Sequence, residues 1–146
     1  MKIYLDACCL NRPFDDQSQN RIRLEAEAIL IIINRMYTGE WKWIGSEVLV
    51  TELENTPDIE KRSYLTELSI GVHTTIMIAK NDIMRANELE QLGFKSFDAM
   101  HIACAERSTA DVLLTTDDRL LKKADKERDN LKIKIANPLS WLMEKI

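Results

Sequence analysis

The chain has 146 residues, 45% of them hydrophobic and 30% charged, a length and mixture that fit one globular domain over residues 1–146 and exclude a low-complexity or disordered chain. No apolar run approaches the roughly 20 residues of a membrane-spanning helix. With 24 acidic residues against 20 lysines and arginines, the net charge of −4 excludes a protein that grips nucleic acid through a broadly basic surface, but not a nucleic-acid enzyme whose acids bind cations.

Three cysteines, Cys8, Cys9 and Cys104, match neither a disulfide framework nor zinc-ligand spacing, and they read as small apolar fillers. The first residues enter a strand pattern with no basic segment, apolar core and cleavage site of a secretory leader, so a cytoplasmic location without membrane association is expected.

In chain order, the apolar run Lys2-Ile3-Tyr4-Leu5 predicts a first strand that ends at Asp6. The polar stretch from Asn11 to Asn20, with Pro13 and Asp15-Asp16, reads as a loop or an irregular helix start. From Gln19 to Tyr37, apolar residues at Ile22, Ala26, Ile29, Ile33 and Met36 fall on one helical face, and Gly39 supplies the stop. Trp41 to Ile44 predicts a short second strand. Ser46 then suits the N-cap of a helix from Glu47 to about Asn55.

Pro57 suits the first turn of a helix running to Leu68, and Gly71 ends it. Val72 to Ile78 is β-branched and strand-like. Asn81 or Asp82 can cap a polar helix to Leu92, with Gly93 at its C-terminal cap. A helix over Phe97–Glu106, a strand over Val112–Thr115, a charged helix from Asp118 to Asp129, a short strand at Ile133 and Ile135, and a terminal helix opened by Pro138 complete the chain. This alternation predicts an α/β fold, a three-layer α/β/α sandwich with a mostly parallel central sheet.

Such a sheet gathers the carboxyl ends of its strands at one edge, where working groups of α/β proteins sit. Asp6 ends the first strand, Asp117 follows the fourth, and Asp98 lies in the first turn of the 97–106 helix, where a helix N-terminus favours negative charge. Glu52 is a fourth candidate among apolar neighbours. Singly, Asp98 and Asp117 also read as helix-capping residues. Together, ionised carboxylates about 5 Å apart repel by roughly 3 kcal/mol per pair at an effective dielectric of 20, so a shared pocket calls for a cation or raised pKa values. Oxygen ligands without His or Cys suit Mg²⁺ or Mn²⁺, and such ions support phosphodiester hydrolysis.

Ile3-Tyr4-Leu5-Asp6, the Ser46–Leu53 segment with Glu52, Phe97-Asp98-Ala99-Met100-His101-Ile102-Ala103 and Leu114-Thr115-Thr116-Asp117 together resemble a PIN-domain nuclease over essentially the whole chain. The resemblance implies a Mg²⁺- or Mn²⁺-dependent ribonuclease similar to the toxins of bacterial and archaeal toxin–antitoxin pairs. It further implies an RNA substrate, a small antitoxin protein as partner and a homodimer. Carried over by position, Asp6, Glu52, Asp98 and Asp117 match the family's acidic quartet, as catalytic and metal-binding residues, and Thr115 matches a supporting hydroxyl. Glu47 or Glu54 could stand in for Glu52, and Asp118 duplicates Asp117. Asn11 and Arg12 could contact a substrate phosphate or a metal-bound water, Lys95 and Arg119 could attract RNA, and His101 lies one helical turn after Asp98.

Two phosphotransfer folds are disfavoured: a haloacid-dehalogenase-like enzyme needs an acid where Cys8 stands, and a receiver domain needs an acidic pair at the first strand end. The scarcity of glycine, four in all and none at that strand end, excludes a P-loop or Rossmann turn. A catalytically idle PIN-like module that binds RNA or protein is the main alternative. A related DNA nuclease would carry longer DNA-holding elements.

Overall fold

A computed structural model describes all 146 residues. Its strands, β1 (Lys2–Leu5), β2 (Lys42–Ser46), β3 (Thr74–Ile76), β4 (Val112–Leu114) and β5 (Lys134–Ala136), form one sheet in the order β3-β2-β1-β4-β5. Every pairing is parallel. The helices are α1 (Ala7–Asn11), α2 (Asn20–Tyr37), α3 (Glu47–Glu54), α4 (Ile59–Leu68), α5 (Lys80–Gln91), α6 (Ser96–Arg107), α7 (Asp118–Lys126) and α8 (Pro138–Lys145). None is long and apolar enough to cross a membrane.

Strand alternation builds the layers. Ile3, Leu5, Trp43, Val112 and Leu114 face a core shared with α1 to α4 and α8, while Tyr4, Ile44 and Leu113 face a second core shared with α5, α6 and α7. Because both faces are covered, the central strands read as unbroken apolar runs. The chain steps from β1 outward through β2 to β3, then crosses back to β4 and continues to β5 on the other side. The reversal leaves a crevice between the carboxyl ends of β1 and β4, where open α/β sheets place their ligands.

Several predicted boundaries shift for identifiable reasons. The irregular stretch before α2 includes a 3₁₀ turn over Arg12–Phe14, but an unpredicted helix, α1, precedes it immediately after Asp6, whose Oδ1 caps it by accepting from Cys9 N at 3.2 Å. Pro57 lies outside its helix, since Asp58 is the cap and accepts from Lys61 N at 3.2 Å. The third strand keeps only Thr74–Ile76, because Val72 closes a short 3₁₀ turn. Helix α5 begins at Lys80, earlier than a cap at Asn81 or Asp82 would place it; Asp82 Oδ2 instead reaches back to accept from Ala79 N at 2.9 Å. Helix α7 stops at Lys126, with a 3₁₀ turn over Arg128–Asn130. Ser46 does cap α3, accepting from Leu49 N at 3.2 Å.

One ion-pair cluster ties α1, α2 and α8 together. Glu25 on α2 is 1% exposed, and its carboxylate receives Arg12 Nη2 at 2.8 Å, Arg21 Nε at 3.4 Å and Asn137 Nδ2 at 2.5 Å. Removing Glu25 leaves the mostly buried Arg12 guanidinium with Asp15 alone and Asn137 Nδ2 without its acceptor. Glu25→Ala should therefore lower the unfolding free energy by about 3 kcal/mol, measured from urea denaturation midpoints.

Candidate active site

Asp6 stands at the carboxyl end of β1, 7% exposed, and its amide donates to Leu114 O at 3.2 Å, carrying the β1–β4 pairing one residue further. Besides capping α1, its Oδ1 accepts from the Cys8 thiol at 2.8 Å. Burial, followed by Cys8, pushes the Asp6 carboxyl well above the usual carboxylate range, while Thr115 and His101 pull the other way. Across the crevice, the fully buried Thr115 hydroxyl accepts from Asp117 N at 3.1 Å and lies 3.3 Å from Cys8 Sγ. Asp117 caps α7, its Oδ1 accepting from Arg119 N at 2.9 Å and Leu120 N at 3.4 Å. Asp118 turns away to Arg21, which holds it with two bonds of 2.6 and 2.8 Å and lowers its pKa.

Asp98, in the first turn of α6, is half-buried and lines one groove with Asp117. Its carboxyl is pushed up to about 6, first by burial, then by the charges of Asp6 and Asp117, with Glu52 adding and His101 opposing. The four predicted acids therefore share one electrostatic neighbourhood. On α3, Glu47 is engaged elsewhere, accepting from Ile78 N at 3.0 Å, and Glu54 is exposed. Glu52 Oε1 instead meets His101 Nε2 at 2.5 Å.

A buried chain continues behind that contact. His101 Nδ1 lies 2.5 Å from the Tyr4 hydroxyl, which lies 2.5 Å from Ser46 Oγ. Because an ionised Glu52 can only accept, the self-consistent assignment has His101 Nε2–H donating to Glu52, Tyr4 donating to Nδ1, and Ser46 donating to Tyr4. Spacing along the sequence places His101 one helical turn after Asp98, but no local pattern pairs it with Glu52. Tyr4 was recognisable only as strand core, although a buried phenol needs a partner.

Cys8 corrects the reading of all three cysteines as fillers. Cys9 and Cys104 are buried, but Cys8 is half-exposed and ties Asp6 to the fourth strand's end, also accepting from Thr116 N at 3.3 Å. Its place in the first turn after a capping Asp is the signal that could have shown this. Asn11 and Arg12 turn elsewhere: Asn11 Nδ2 donates to Ala7 O at 2.8 Å, and the Arg12 guanidinium engages Glu25 and Asp15.

No three of the four acids have oxygens all within 4.8 Å of one another; the group that does is Asp6, Cys8 and Cys9. A hard divalent cation such as Mg²⁺ takes one or two carboxylates directly and retains several waters, so it would not require three of these oxygens within that distance.

A PIN domain family model matches residues 3–127, and the chain belongs to the PIN domain family. No curated relative matches it. Among solved structures, the fold is similar to FitAcB from Neisseria gonorrhoeae, at 14% identity over 93% of this chain and 97% of that one, with a TM-score of 0.61. It is also similar to VapBC2 from Rickettsia felis bound to a DNA fragment from their promoter, at 14% identity over 94% and 98% of the two chains and a TM-score of 0.63. VapBC-1 from nontypeable Haemophilus influenzae gives 14% identity over the same shares and a TM-score of 0.57.

Two stability measurements follow from this geometry. His101→Ala leaves Tyr4 and Glu52 without their shared partner, and chemical denaturation should show a loss of about 2 kcal/mol, against about 1 for Tyr4→Phe. Asp98 has a raised folded-state pKa, so in the absence of metal it binds more protons folded than unfolded between 3.8 and about 6. Its contribution to stability is thus present below that window and is lost as pH rises through it. The stability advantage of Asp98→Asn over wild type in EDTA should grow across the same interval in thermal unfolding.

Proposed function

We propose that the protein is a Mg²⁺- or Mn²⁺-dependent endoribonuclease that hydrolyses phosphodiester bonds in single-stranded RNA, the toxin of a toxin–antitoxin pair. The observation that carries this reading is that Asp6, Asp117 and Glu52 lie near enough to Asp98 at the β1/β4 crevice for their charges to add to the rise that burial gives its carboxyl. In this reading the four acids hold the cation, which when bound supplies Lewis-acid stabilisation of phosphate charge and a water acidic enough to attack at neutral pH.

The protein's own groups set the acids in place. Asp6 is fixed by the Cys9 amide and the Cys8 thiol, leaving Oδ2 free of both contacts. Asp117 uses Oδ1 for its helix cap, and the Thr115 hydroxyl accepts from its amide. His101 orients Glu52. Arg12 contributes at one remove, by anchoring the end of α1 to Glu25. Asn11 stiffens the same short helix.

A small antitoxin partner, homodimerisation and a cytoplasmic setting belong to the same reading. The similarity to FitAcB and the VapBC assemblies supports the partner, as does an open apolar groove of about 320 Å³ that includes Phe14, Leu30, Tyr37, Tyr64 and Leu68.

Purified protein should cleave single-stranded RNA with Mg²⁺ or Mn²⁺ and stop in EDTA. Asp6→Asn and Asp98→Asn should each lower turnover by at least roughly a hundredfold while preserving the circular dichroism spectrum. Wild-type turnover in either variant would sink the site assignment, and RNA binding without any metal-dependent product would favour the idle binding module.

A further inference from the structure

Beside the acids, the groove that Asp98 and Asp117 line has a volume of about 190 Å³ and a basic rim formed by Lys95, Arg119 and Lys123. Lys95 is the N-cap residue of α6, three positions before Asp98. Arg119 sits in the first turn of α7, its backbone amide bound to Asp117 Oδ1 at 2.9 Å. Lys123 follows Arg119 by one helical turn. Its Nζ crosses the turn at Gly93, where φ is +103° and a Cβ would stand 2.6 Å from that nitrogen, so only glycine leaves the ammonium its place.

The pairing of these cations distinguishes them. Every other arginine in the chain makes a side-chain hydrogen bond or an ion pair; the Arg119 guanidinium makes neither. The Lys95 ammonium is likewise unpartnered, and Lys123 has only Glu127 at 3.8 Å. In a chain with more acids than bases, an arginine held beside two carboxylates without pairing to either is disposed toward a ligand outside the protein. The N-termini of α6 and α7 open on the same groove, and both favour an anion.

We infer that Lys95, Arg119 and Lys123 form a subsite for an RNA backbone phosphate next to the one being cleaved. The inference rests on the nuclease reading for its polymer but not for its charge pattern. Arg119 supplies a planar fork for two phosphate oxygens, and the lysines supply point charges on either side. The acids would hold a cation able to bind the scissile phosphate, while the basic rim takes its neighbour, which sets the strand's direction across the β1/β4 crevice. A chain of net charge −4 would hold RNA tightly only at the segment against this rim.

The test is binding of a fluorescein-labelled single-stranded RNA to the full chain in EDTA, read by anisotropy across a salt series. The double variant Lys95→Gln/Arg119→Gln should bind roughly tenfold more weakly at low salt, and its log–log salt slope should shrink by about 0.7, the value for one phosphate contact on a single strand. Lys42→Gln, at the opposite edge of the sheet, should leave both unchanged. An unchanged slope in the double variant, an equal loss in Lys42→Gln, or no RNA binding by wild type overturns the subsite. Adding Mn²⁺ separates the two readings: rim-dependent binding without any cleavage removes the nuclease and keeps the subsite, whereas cleavage with a KM indifferent to Lys95 and Arg119 does the reverse.

Discussion

The fold turns on a single carboxyl group. Strand β1 is buried on both faces and passes into helix α1 with no intervening loop, so the first amides of that helix need an acceptor within a dry environment. Asp6 provides it, and in doing so becomes an acid that cannot retreat into solvent. The same residue extends the β1–β4 ladder through its amide, so the connection that closes the sheet's centre also fixes the carboxylate. Helix capping, sheet pairing and a charge that demands compensation therefore meet in one residue.

Around it, each further acid is secured by a different structural device. Asp117 is a helix cap, Glu52 is tethered through a histidine, and Asp98 relies on placement at the start of α6. The tether crosses layers, because Tyr4 belongs to β1, Ser46 to the end of β2 and His101 to α6. Fully satisfied networks of this kind impose a single arrangement on the side chains that join them, since any broken link leaves a polar atom in the core. Burial, then the charges of Asp6, Asp117 and Glu52, raise the Asp98 carboxyl, and burial with Cys8 raises that of Asp6, so an added positive charge would favour the ionised form of both.

Periodicity and turn chemistry made the strand–helix alternation, the parallel sheet and the Ser46 cap readable from residues alone. The positions of Asp6, Asp98 and Asp117 followed, since each sits at an element boundary and parallel topology sends those boundaries to one edge. Helix α1 escaped notice because five residues are too few to display a helical period, and its cap had already been read as a strand-end acid. The roles of His101 and Tyr4 were hidden for another reason: they depend on contacts between residues 42 to 97 positions apart, which no local pattern encodes. Arg12 was legible as a charge near the site, but its partner Glu25 lay on the polar margin of an amphipathic helix and gave no sign of being buried.

The order of the strands also governs time. Strands β1 and β4 are neighbours in the sheet, yet Ile3 pairs with Val112, so the crevice between them is assembled from the two distant ends of the central fold. A ribosome emitting the chain from its N-terminus delivers Asp6 and Glu52 long before Asp98 and Asp117. Non-local parallel pairing is among the slower steps in folding. Until β4 slides in beside β1, Asp117 has no place at the crevice, and the completed centre is a property of the finished molecule rather than of any early fragment.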